Sequence, residues 1–142
     1  MKADTNKNKG KAGLALAIGY YGSIGYTVSL PLNDTQDYDL IVDDGQKLNK
    51  VQVRCTGQSN GFGGYHVSVR SCGGTKGTSY SHVKNTDIDF LFVVCTNGWM
   101  FEIPKKEITQ SSTISLYDRK SKYSSNTTTD YSQYLVSFTF KD

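Results

Sequence analysis

Residues 89–95, DFLFVVC, are almost entirely apolar. A strand with one face in water alternates apolar and polar side chains, so this run predicts a central strand that is buried on both faces. Such a strand requires a covering layer on each side of its sheet. A chain of 142 residues is long enough to supply these layers within a single domain, residues 1–142.

The other patterns along the chain are one helix and several short strands. A helix is predicted from Lys9 to Ile24, where Leu14, Ala17 and Tyr21 recur at helical spacing. Alternating runs predict strands at 26–30, 38–42, 50–56, 65–71, 99–103, 114–116 and 134–140. One helix followed by a mainly antiparallel sheet defines an α+β fold.

The segment YDLIVDDGQKLNKVQVR, residues 38–54, carries polar side chains inside two predicted strands. Its Asp-Gly dipeptide favours a tight turn, and pairing of the flanking strands would bring Asp39 towards Gln52 and Arg54. An acid, a second oxygen ligand and a fixed cation suit metal-assisted phosphodiester hydrolysis. The alternative is an ordinary hairpin whose glutamine and arginine face solvent.

Three stretches carry a family resemblance: KGKAGLALAIGYYGSIG, GYTVSLPLNDTQDYDLIVDDGQKLNKVQVR and IDFLFVVCTNGWMFEIPKKEI. Together they resemble the PD-(D/E)xK nuclease superfamily, most nearly its small homing endonucleases encoded by group I introns and phages. The resemblance covers about residues 9–107. It implies a restriction-endonuclease-like core, with the N-terminal helix packed on a mixed, mainly antiparallel sheet. Residues 108–142 are then expected to be peripheral and available for an oligomer interface.

The resemblance also assigns site residues. Asp39 matches the acid of the motif, Gln52 stands at a position usually Glu or Asp, and Arg54 stands at the usual lysine. By this match the three are catalytic, and Asp39, the Gln52 amide oxygen and the Val53 carbonyl would bind Mg²⁺ or Mn²⁺. Lysine can act as a base when buried, whereas guanidinium keeps its proton. If Arg54 is an impaired substitute, Arg54→Lys should raise cleavage.

Double-stranded DNA is the partner that the resemblance implies, and a net charge of +3 is compatible with it. The polar face of residues 65–71 is predicted to read bases in the major groove, while lysines and glycine loops approach phosphates. The predicted DNA-binding residues are Lys9, Lys11, Asn60, His66, Ser68, Arg70 and Lys76. The alternative for the lysines is an ordinary solvated surface. A symmetric homo-oligomer, dimer or tetramer, would present two sites to opposite strands.

Two rival functions remain open at this point: a DNA-binding protein that has lost cleavage, or another nuclease of the superfamily, such as a junction resolvase or restriction endonuclease. Cys55 and Cys95 fall at core positions and are expected to be free thiols, which favours the reducing cytoplasm of a bacterial or phage-infected cell. The polar amino terminus predicts no signal peptide, and no apolar stretch is predicted to cross a membrane.

Overall fold

The computed structural model describes residues 5–73, 79–120 and 129–140. Within them one α-helix, α1 (Thr5–Ser23), precedes ten strands. The strands are β1 (Thr27–Ser29), β2 (Leu40–Asp43), β3 (Leu48–Thr56), β4 (Tyr65–Ser68), β5 (Arg70–Gly73), β6 (Ser79–His82), β7 (Phe90–Cys95), β8 (Met100–Pro104), β9 (Thr113–Leu116) and β10 (Leu135–Val136). Short 3₁₀ helices cover Val83–Asn85, Lys105–Glu107 and Tyr131–Tyr134.

Six strands form the main sheet in the order β1-β2-β3-β7-β8-β10. The β3–β7 pair is parallel, with Gln52 opposite Leu91 and Arg54 opposite Val93, and the other pairs are antiparallel. Two further sheets of two strands each are formed by β4 with β9 and by β5 with β6. The predicted α+β architecture with a mixed, mainly antiparallel sheet is therefore confirmed.

Strand β7 is buried on both faces, as its composition predicted. Phe92 and Val94 join the core beneath α1, and Leu91 and Val93 join the core on the opposite face. The helix covers the first core, and the small β4–β9 sheet covers the second with Val67, Ile114 and Leu116. Five of the six side chains of β7, Leu91 to Cys95, are thus buried, and Phe90 at its start is partly exposed.

Helix α1 lies close to β3 because small residues face the sheet. A Cβ added at Gly13 would lie 3.2 Å from the Cβ of Cys55, so a larger side chain would push the helix outward. Gly25, at φ +86°, ends the helix, and the N–H of Tyr26 then donates to the carbonyl of Tyr21 at 3.0 Å. The helix starts four residues before the predicted Lys9.

The hairpin predicted around the Asp-Gly dipeptide is present. Strands β2 and β3 pair antiparallel with Leu40 opposite Val51, and Gly45 takes φ +94° in the turn. The carboxylate of Asp44 accepts the N–H of Lys47 at 2.8 Å, which fixes the turn. This hairpin sets the relation between the strand that follows Asp39 and the strand that carries Gln52.

Two strand predictions were wrong in extent. The strand predicted at 65–71 is interrupted at Val69, because β4 pairs with β9 whereas β5 pairs with β6, a strand that the sequence patterns did not predict. The strand predicted at 134–140 is reduced to Leu135–Val136, since the 3₁₀ helix Tyr131–Tyr134 precedes it and the chain then turns towards α1. There the N–H of Thr139 donates to the Ser23 hydroxyl at 3.2 Å.

The segment after residue 107, expected to be peripheral, also contributes to the second core: Ile114, Leu116 and Tyr131 are fully or almost fully buried. Cys55 and Cys95 are free thiols, and burial raises the pKa of Cys95 to about 12. Within the part of the chain that the structure describes, no helix combines the length and apolarity needed to cross a lipid bilayer.

Candidate active site

The start of β2 meets the middle of β3 at Asp39. The N–H of Asp39 donates to the carbonyl of Val51 at 2.8 Å, and the Asp39 Oδ2 accepts the N–H of Val53 at 2.7 Å. In an extended strand the N–H and C=O of one residue point to the same edge, so the carbonyl of Val53 also faces the side of Asp39. The carboxylate of Asp39 and the backbone carbonyl of Val53 therefore lie on the side of β3 that faces β2.

Gln52, the residue before Val53 on β3, carries a third oxygen in its side chain. Leu40 pairs with Val51, and the Asp39 N–H also donates to the carbonyl of Val51, so Asp39 and Gln52 both adjoin this pair. The half-buried Gln52 side chain has its Oε1 enclosed with no hydrogen-bond partner among the described residues. A buried acceptor left unpaired costs about 1–3 kcal/mol, so this atom is suited to a ligand that the protein itself does not supply.

Asp39 and Arg54 influence each other's charge. Burial raises the pKa of the Asp39 carboxyl, and the Val53 N–H and the Arg54 cation offset part of that rise. Burial lowers the pKa of the Arg54 guanidinium, and Asp39 opposes this. Although the structure describes both side chains, no ion pair joins Asp39 to Arg54. An ion pair is formed instead by Lys50 and Asp87.

The Arg54 guanidinium is bound to backbone. Its Nη1 donates to the carbonyl of Ser68 and, at 3.1 Å, to the carbonyl of Arg70. Beside it lies a cavity of about 330 Å³, and the lining residues are Arg54, Cys55, Thr56, Gln58, His66, Val67 and Ser68. Arg54 therefore links the strand of Gln52 and Val53 to the region predicted to contact DNA.

The predicted DNA-binding residues are in different environments. Lys9 and Lys11 are exposed on α1. Asn60 is engaged in its own loop, since its Oδ1 accepts the N–H groups of Phe62 and Gly64 and its Nδ2 donates to the Tyr117 hydroxyl.

On the strands, the enclosed Nδ1 of His66 has no hydrogen-bond partner among the residues described. Ser68 is exposed, as is Arg70, whose Nε donates to the carbonyl of Ser111 at 2.7 Å. Lys76 lies outside the described residues.

The sequence patterns did not single out Asp34. It lines a cleft of about 300 Å³ with Asp39, together with Leu14, Leu30, Pro31, Asn33, Gln36 and Tyr38. The signal was a second acid five residues before Asp39 in PLNDTQDYD.

Thr56 was also not predicted as a site residue. It follows Gln52 and Arg54 on the same face of β3, and its hydroxyl donates to the carbonyl of His66 at 2.5 Å.

The chain matches the family model described as PD-(D/E)XK endonuclease over residues 4–136, and it belongs to that family. It is a DNA endonuclease, a hydrolase of phosphodiester bonds. Among solved structures it is similar to a bacterial homing endonuclease, I-Ssp6803I, with a TM-score of 0.75 and 26% sequence identity over 91% of this chain and 87% of that chain. No curated protein matches the chain. The predicted superfamily and its homing-type relation are confirmed.

Enzymes of this family generally use divalent metal ions, and the oxygens of Asp39, Gln52 and Val53 fit such an ion chemically. A carboxylate, an amide oxygen and a backbone carbonyl are hard donors of the kind that Mg²⁺ takes in proteins. Among the described residues, no group of three or more His, Cys, Asp and Glu side chains could hold a metal ion.

Proposed function

We propose that this chain is a sequence-specific endonuclease that cuts both strands of duplex DNA in a Mg²⁺-dependent reaction of homing type. The observation that carries the proposal is the hydrogen bond between Asp39 and the backbone of Val53, the residue that follows Gln52 with its unpartnered oxygen. Family membership and the similarity to a homing endonuclease support the same reaction class.

Asp39, Gln52 and the carbonyl of Val53 would hold the ion, Mg²⁺ or Mn²⁺. When bound, such an ion acidifies the attacking water and offsets the negative charge that develops on the phosphate. The Val53 N–H holds Asp39 Oδ2 at 2.7 Å, which orients the carboxylate towards β3. Gln52 contributes an oxygen without adding a second negative charge.

Arg54 contributes charge to this reaction but no proton transfer. Its guanidinium stays protonated at any ordinary pH, so the proton of the attacking water passes to solvent instead. The cation favours the ionised form of Asp39 and stabilises negative charge at the reacting phosphate. In this proposal Asp39 and Gln52 bind the metal ion, and Arg54 provides electrostatic support.

For DNA binding we propose that α1 and the small strands approach the duplex. Lys9 and Lys11 would contact phosphates, which gives affinity without sequence preference. His66, Ser68 and Arg70 would supply base contacts near the cavity beside Arg54. Asn60 would act indirectly, by holding the glycine loop in shape. Lys76 would contact a phosphate.

We also propose a homo-oligomer, a dimer or tetramer, since two symmetric sites would cut opposite strands. The exposed apolar side chains of Leu135, Phe138 and Phe140 near the carboxyl end are suitable interface material. The free thiols of Cys55 and Cys95 support a reducing cytoplasm as the site of action.

The test is cleavage of a randomised duplex library by the purified chain in Mg²⁺, with the protein's mass measured by sedimentation equilibrium. We expect discrete, paired cuts at a small set of related sequences, and no cuts in EDTA. Specific binding without cleavage would assign the chain to DNA-binding proteins derived from nucleases. Cuts confined to branched junctions would favour a resolvase.

Gln52→Glu should lower the Mg²⁺ concentration needed for half-maximal cleavage. A second carboxylate attracts the ion more strongly, since opposite charges about 4 Å apart gain on the order of 1 kcal/mol even in water, which is roughly fivefold in affinity. The measurement is a Mg²⁺ titration of the cleavage rate. Gln46→Glu, in the exposed hairpin turn, is the matched control. An unchanged titration would remove Gln52 from the metal site.

A further inference from the structure

The Arg54 side chain makes contacts that a freely extended motif cation would not make. Its Nη1 donates to two carbonyls, those of Ser68 and Arg70, which lie on either side of Val69. Val69 is the point where the chain leaves the β4–β9 pair and enters the β5–β6 pair. We call residues 68–70 the corner. Arg54 is thus bound to the corner at two points.

The corner is internally braced by short-range bonds. The Ser68 hydroxyl donates to the carbonyl of Arg70 at 3.0 Å and accepts the N–H of Arg70 at 3.1 Å. Val69 is fully buried, donates to the carbonyl of Ser112 at 2.9 Å and accepts the N–H of Val83 at 2.9 Å. These bonds shape the corner, but none of them involves the main sheet.

Hydrogen bonds from two side chains of β3 reach the corner and β4, besides the packing of Val67 and Val69 in the second core and the bond from the His66 N–H to the carbonyl of Gln58 at 2.9 Å. Strands β4 and β5 pair with β9 and β6, and neither pairs with β3. Across that gap, Arg54 binds the corner and the Thr56 hydroxyl donates to the carbonyl of His66. Arg54 makes two hydrogen bonds to the corner and is positively charged, whereas Thr56 makes one hydrogen bond and is neutral.

We propose that Arg54 is a positioning residue for DNA recognition, which holds the corner at a fixed distance from Gln52 and Val53. His66, Ser68 and Arg70 lie at or beside the corner, so this distance sets which bases they meet when the scissile phosphate is at the metal. The inference rests on the proposed function, in which these side chains face the duplex. Arg54, a residue of the cleavage motif, is therefore predicted to control base discrimination.

Arginine fits this role better than the lysine usual at this position. Its guanidinium presents several N–H donors in a rigid plane and is weakly hydrated, whereas lysine is a shorter, strongly hydrated point charge. Arg54→Lys keeps the charge but loses the fixed double contact. It should therefore loosen the corner rather than restore an impaired site.

The experiment measures binding in Ca²⁺, without Mg²⁺, to the preferred duplex and to duplexes with one changed base pair. For Arg54→Lys we expect discrimination to fall by roughly fivefold or more, since one mismatched pair is typically worth about 1–3 kcal/mol. Affinity for random DNA should stay within about twofold because the charge is kept. Amide exchange at Val69 and Arg70 should accelerate. Arg119→Lys, at an exposed position, is the matched control and should change none of these values.

Thr56→Val removes the other side-chain bond from β3 to β4 and should lower discrimination in the same direction, by less. It decides the matter if Arg54→Lys does not fold. A lower melting temperature with unchanged discrimination would reduce Arg54 to a structural residue and overturn the inference. Faster cleavage by Arg54→Lys with unchanged discrimination would overturn it as well. A native chain that binds specifically but does not cut would defeat the proposed function and leave this inference standing.

Discussion

Asp39→Asn should reduce Mg²⁺-dependent cleavage by at least about 10²-fold, since loss of even an outer partner of a metal site typically costs roughly 10–100-fold. The amide retains an oxygen that can accept the Val53 N–H, so the fold of the hairpin is preserved while the charge is removed. DNA binding without metal should not weaken, because a negative charge near the phosphates is lost. Single-turnover cleavage and a binding titration measure the two effects.

Asp37→Asn is the matched control for this substitution. Asp37 lies two residues away, and its carboxylate accepts the N–H of Asp87 at 2.9 Å, a bond that an amide can also make. The Asp37→Asn variant should cleave DNA at the same rate as the unaltered protein. Retained cleavage in Asp39→Asn together with loss in Asp34→Asn would transfer the essential carboxylate to Asp34, which lines the same cleft.

Phe92→Ala should lower the free energy of unfolding by about 3–5 kcal/mol, the usual range for a buried phenylalanine. The ring is fully buried, with its centroid 5.5 Å from those of Tyr20 and Tyr21 on α1. Its loss leaves a cavity between the helix and the sheet. Urea unfolding followed by circular dichroism measures the change.

The control for the core substitution is Leu32→Ala. Leu32 is fully exposed, so this change should stay within about 0.5 kcal/mol. A loss below about 1 kcal/mol for Phe92→Ala would mean that α1 closes over the vacated space. In that case the Phe92 ring would set the distance of α1 from the sheet.

The elements that sequence patterns predicted well are those with a local cause. Helix α1 has its own periodicity and its glycine stop, and the β2–β3 hairpin has its turn residues. The break at Val69 has no such signal, because Val67 and Val69 are both buried and the alternation continues across the break. What changes there is the partner strand, which lies 45 to 51 positions away for β4 and 6 to 12 positions away for β5.

In the candidate site, too, features with a local cause were predictable from the sequence and features that depend on distant segments were not. Strand parity predicted Gln52 and Arg54 on one face of β3 and Asp39 near them, and this arrangement stays a prediction. Parity could not show that Asp39 would bind the backbone of Val53, since Asp39 precedes β2 and makes this contact through its side chain rather than through the strand ladder. Nor could parity give the direction of the Arg54 side chain, which depends on two carbonyls contributed by a distant segment.

The parallel pairing of β3 with β7 has a consequence for how such a protein changes its target. Parallel neighbours cannot be joined by a tight turn, so the chain between Thr56 and Phe90 makes a long crossover that contains β4, β5 and β6. Closing a flexible loop of twice the length costs only about 0.6 kcal/mol more in chain entropy. Insertions in the glycine-rich stretch 57–64 would therefore reshape the segment proposed to face DNA at little cost to stability. Evolution can lengthen or shorten this crossover while the register of β3, and with it the position of Gln52, stays fixed.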